Sequence, residues 1–102
     1  MAKNIKNYQL AEKENGVWTV VVPANADIVS AWAKHNSVHK GTLFYVTVVE
    51  DSEGVGEVEA YDFVVVDVLD CRCDAVEIPE NYEFFEKVQL EGKVYLLFIK
   101  LN

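Results

Sequence analysis

"NADIVSAWAKHNSVHKG", residues 25–41, is the stretch on which the fold turns. Ile28, Trp32, His35 and His39 recur at i, i+4, i+7 and i+11, which makes a single stripe on a helix. Asn25 can cap the start, Asp27 sits in the first turn, and Gly41 can close the far end. Lys34, His39 and Lys40 fall towards the negative end of the helix dipole. The pattern predicts the main helix of the domain, with both histidines on the face turned to a sheet.

Working upstream, "YQLAEKENGVWTVVVP" carries a hairpin signal. Asn15-Gly16 suits the two left-handed positions of a type I′ turn, and a β-branched run follows it. Val17, Thr19 and Val21 share one face while Trp18, Val20 and Val22 share the other, so the strand is expected to be covered on both sides. Downstream, residues 42–73 read as two long strands of one hairpin around an acidic turn at 50–56. Asp62 interrupts the apolar parity of the second strand, where a bulge is expected. "IPENYEFFEKV" predicts a short helix placed by Tyr82, Phe85 and Val88. A tight Glu91-Gly92 turn leads into the apolar last strand "KVYLLFIKL", which must lie centrally or leave an edge open to another chain. The expectation is one α+β domain over residues 1–102: an antiparallel sheet of about five to six strands, ordered ββ-α-ββ-(α)-ββ, with one main helix packed on it.

Composition bounds the function. Half of the 102 residues are hydrophobic and a quarter are charged, as in a folded domain. No run approaches the ~20 apolar residues of a spanning helix, no secretory leader is evident, and two cysteines make no disulfide framework. A cytoplasmic protein without membrane contact is expected.

The net charge of −8 is unevenly spread along the chain. Between Gly41 and Glu86 thirteen acids face Arg72 alone, a net of −12, whereas the remainder holds eight lysines against four acids. Direct nucleic-acid binding through a basic stripe is therefore not expected.

Catalytic patterns are missing: no glycine-rich phosphate loop, no nucleophile elbow and no carboxylate pair in a cleft. No enzyme activity and no cofactor are expected. "DVLDCRCDAVEIP", residues 67–79, holds both cysteines one residue apart. On a strand their Cα atoms would be ~6.6 Å apart, at the edge of disulfide reach. Asp70 and Asp74 would disfavour a thiolate, which argues against a redox pair. His35 and His39 at i, i+4 on a helix, with Cys71 and Cys73, form a possible zinc set, although C-x-C is an uncommon spacing. The plainer reading is two buried thiols and two helix-end histidines, with no metal.

The acidic segment remains. Glu57, Glu59, Asp62, Asp67, Asp70, Asp74 and Glu77 are the candidate contacts to a basic protein partner, because spaced carboxylates on rigid strands can stand in for phosphates. A small acidic domain without catalytic residues is similar in profile to phage-encoded inhibitors of host defences, some of which mimic DNA. That likeness is one of composition and assigns no residue roles. It implies a viral anti-defence antagonist of a nucleic-acid-handling host system. The alternatives are an assembly protein forming a homodimer through a sheet edge, and a small zinc-binding domain.

Overall fold

The computed structural model describes residues 2–14, 16–36, 38, 41–53, 56–68 and 76–101. The described chain is all β. Its strands are β1 (Lys3–Gln9), β2 (Ala11–Glu14), β3 (Val17–Pro23), β4 (Asp27–Asn36), β5 (Gly41–Asp51), β6 (Val58–Asp67), β7 (Tyr82–Leu90) and β8 (Lys93–Lys100). They form two antiparallel sheets, β1-β5-β4 and β2-β3-β6-β8-β7.

The α+β expectation is overturned at both of its helices, and the same device explains each. β4 occupies the predicted main helix. Its ladder with β5 slips by one residue between Ile28 and Ser30, leaving Val29 as the extra residue of a bulge. Ile28 pairs with Val48, then Ala31 with Val46, Ala33 with Phe44 and His35 with Thr42. The inward residues are thus spaced three apart across the bulge, which imitates a helical period. β7 repeats the pattern where the short helix was expected, with a slip between Phe84 and Glu86. Phe85 and Val88, three apart, both reach the core. β-branched and aromatic residues in these stretches suit a pleated strand better than a helix.

Strands β5 and β6 both exist but do not pair. β5 belongs to the three-stranded sheet and β6 to the five-stranded one, so the chain crosses between layers where a hairpin was expected. β6 runs without a bulge at Asp62, which pairs in register with Thr19. The two expected tight turns are present as hairpin connections: Gly16 has φ 79°, while Glu91 and Gly92 have φ 45° and 83°. β8 lies centrally, hydrogen-bonded to β6 on one side and β7 on the other.

The sheets face each other across a core of Val20, Val22, Phe44, Val46, Val48, Phe63, Val88, Tyr95 and Leu97. At one corner the chain itself joins them. β1 pairs with β5 as far as Gln9, β2 pairs with β3 from Ala11, and Leu10 between them is fully buried with its N–H donated to the Phe44 carbonyl. At the opposite corner β4 lies against β7. There the Thr42 and Tyr95 hydroxyls share a hydrogen bond of 3.3 Å, and His35 meets Glu91 of the β7–β8 turn. The described residues cover only one face of each sheet, so β3 buries Val20 and Val22 while Val21 stays half exposed.

Candidate functional site

Acids gather at one end of the sandwich, where three segments are tied together. Ala24, in the turn between β3 and β4, donates its N–H to the Glu57 carbonyl at 3.0 Å. Asn25 Nδ2 donates to Asp51 Oδ2 at 2.7 Å, and the Ser52 N–H reaches the Ala2 carbonyl at 3.2 Å. These bonds place Asp27, Asp51, Glu53, Glu57 and Glu59 around the same end. Lys3 is paired there, 3.5 Å from Asp51. Glu59 accepts a hydrogen bond from the Tyr61 hydroxyl at 2.7 Å. That bond, followed by burial and by the charges of Glu59 and Asp27, raises the Tyr61 pKa above its ordinary value. The hydroxyl therefore stays protonated and keeps donating to Glu59.

The five described candidate contacts do not form one row. Glu57 and Glu59 belong to the acidic end. Asp62 lies in the middle of β6 on the outer face, 3.3 Å from Lys13 Nζ. Asp67 closes the far end of β6, eight residues or ~26 Å of extended chain from Glu59, with Lys93 at 3.5 Å. Glu77 is exposed in the irregular segment before β7. Asp70 and Asp74 lie outside the described residues, as do His39, Cys71 and Cys73 of the possible zinc set. His35, the remaining member, sits on β4 beside Glu91 and not on a helix. Among the described residues no group of three or more His, Cys, Asp or Glu side chains is arranged to hold a metal ion. Nor is any helix there long and apolar enough to cross a membrane.

Strand pairing redistributes the charge. Lys3, Lys6, Lys13 and Lys93 are remote from the acidic segment in sequence, yet they contact Asp51, Glu50, Asp62 and Asp67. β1 adjoins β5 and β8 adjoins β6, so Lys3, Lys6 and Lys93 come from neighbouring strands, while Lys13 reaches Asp62 from β2 across β3. Acids left without a lysine partner among the described residues include Asp27, Glu53, Glu57 and Glu59 at the acidic end, and Glu77, Glu80, Glu83 and Glu86 in and before β7. Asp27 was hidden from sequence reasoning as a helix first-turn residue. Its nearness to Glu59 arises only when β3 turns into β4 beside β6.

The outer face of the three-stranded sheet carries a second cluster. Trp32 and Tyr45 stack with centroids 4.4 Å apart, and Lys34 Nζ lies 5.2 Å over the Tyr45 ring. Asn7 Oδ1 accepts from Trp32 Nε1 at 3.2 Å and from Thr47 Oγ1 at 2.6 Å, linking all three strands. These polar atoms are spent on one another, and the cluster reads as a cross-strand brace.

No protein-family model, no curated protein and no solved structure matches this chain.

Proposed function

We propose that the protein is a non-enzymatic binding module that occupies a basic protein surface through its acidic end, acting in the cytoplasm as an inhibitor or regulator of a nucleic-acid-handling system. The observation that supports this reading is the gathering of Glu53 and Glu57, on the β5–β6 connection, with Asp27 at the start of β4 and Glu59 near the start of β6, at an end tied by the Ala24–Glu57 and Asn25–Asp51 hydrogen bonds. Carboxylates held by short backbone-anchored turns lose little freedom on binding, which favours electrostatic recognition. Asp62 and Asp67 are already matched by lysines and are left out of the contact set.

The experiment is capture of partners from host lysate by the wild-type protein and by the E53K/E57K/E59K variant, followed by titration of the captured protein against salt and DNA. The expected result is fast, salt-sensitive binding, lost in the variant and competed by DNA. Binding that survives both the charge reversals and saturating DNA would discard the reading.

A further inference from the structure

β6 turns its more apolar side away from the core. Tyr61, Phe63 and Val65 pack inward, while Val58, Ala60, Val64 and Val66 alternate outward. The pairing registers align Val17, Val64, Phe98 and Phe84 in one row across β3, β6, β8 and β7. Val66 and Leu96 are the apolar pair of the next row, which ends at Lys87 on β7. None of these six apolar residues belongs to the core, and Phe84 is 55% exposed with its ring edge-on to Phe98 at 5.8 Å. Beyond the row on the other side, Lys13, Thr19, Asp62 and Lys100 line one depression. A contiguous outward apolar face of this kind marks an interaction surface.

We propose that this face binds a second copy of the same chain, sheet on sheet, about a two-fold axis parallel to the strands and running between β6 and β8. The row itself points to that occupant. It reads valine, valine, phenylalanine, phenylalanine across the sheet, and the two-fold reverses the strand order without moving the row. Phe98 then lies on the partner's Val64 and Phe84 on the partner's Val17, so each ring meets a small β-branched side chain. Leu96 lies on the partner's Val66. One row away, Lys100 comes opposite the partner's Asp62 and joins Lys13, which already lies 3.3 Å from that carboxylate in its own chain. Size and charge are therefore both self-complementary, as an isologous interface requires. The same axis lets the two sheets pack nearly aligned at ~10 Å.

Four strands spaced ~4.8 Å apart over some eight residues cover on the order of 500 Å² per copy. About 1,000 Å² in total is at the lower bound of specific interfaces, which fits a reversible dimer. The proposal is independent of the acidic end, and its test needs only the purified protein.

Sedimentation equilibrium of the full chain across the micromolar range should show the mass rising from one chain to two. F84D, at an exposed position, should weaken self-association at least tenfold while the far-ultraviolet circular dichroism is unchanged. D62K and K100D should each weaken it, and mixing those two variants should restore dimers, because every contact in the mixed pair is again Lys against Asp. A single-chain mass at the highest concentration overturns the proposal. So does self-association unaffected by F84D, or a D62K and K100D mixture no tighter than its components.

Discussion

The Tyr8 hydroxyl donates a hydrogen bond of 2.5 Å to Glu50, the buried carboxylate of β5 at 4% exposure. Lys6, two residues away on β1, adds an ammonium at 3.8 Å from the other oxygen. β1 thus supplies both groups that make a charge tolerable in the interior of the three-stranded sheet. Removing the hydroxyl with Tyr8→Phe leaves the carboxylate short of its nearest donor and should cost about 1–3 kcal/mol. Denaturant unfolding should show it as a lower midpoint at unchanged slope, and Glu50→Gln should partly offset it in the double variant.

The same bond predicts an alkaline transition. Hydrogen bonding to Glu50, then burial, then the Glu50 charge push the Tyr8 pKa up to about 12 from 10.0. The folded state therefore holds the phenolic proton more tightly than the unfolded chain. The resulting stability is fully present below pH 10 and is lost as pH rises from 10 towards 12. A melting-temperature series over that range should fall more steeply for the wild type than for Tyr8→Phe.

Phe63 and Phe84 are phenylalanines of the same sheet with opposite fates. Phe63 is fully buried and packs edge-on to Phe85 at 5.7 Å, whereas Phe84 is 55% exposed. Phe63→Ala should cost about 3–5 kcal/mol through lost burial and a residual cavity. Phe84→Ala should cost well under half of that at concentrations where the chain is monomeric. Equal losses from paired unfolding curves would contradict the assignment of faces.

Gly92 closes the β7–β8 turn at φ 83°, and a Cβ there would meet nothing within 4 Å. The penalty of Gly92→Ala is then conformational alone, ~1 kcal/mol or slightly more. Gly92→Asn should lose less, since asparagine tolerates the left-handed region. Thermal midpoints ordered glycine, asparagine, alanine check this.

Reversing Glu57 and Glu59 together to lysine should move the thermal midpoint little, because both side chains are exposed. Lys13→Ala should cost less than ~1 kcal/mol, and its effect should shrink in high salt as the Asp62 pair is screened. A large salt-independent loss would show that the pair does more than balance surface charge.

Local chemistry determined much of this protein from its sequence. Glycine at positive φ places the turns at Gly16 and Gly92, and runs of β-branched and aromatic residues in β3, β5 and β6 mark strands, because both signals depend on neighbours a few residues away. Two residues of the acidic end, Glu57 and Glu59, were among the seven candidate contacts read from the sequence.

Tertiary structure decided the rest. β4 and β7 each carry a bulge whose extra residue spaces the inward side chains by three, and only the partner strand reveals that this is a slipped ladder and not a helical turn. Alternation divides β6 into two faces but cannot say which is buried; packing chose Phe63 and left the valines outside. Whether β5 and β6 would pair, and which lysines would meet Asp51, Asp62 and Asp67, depended on strands brought together from across the chain. Those pairings are non-local, and no window of sequence contains both partners.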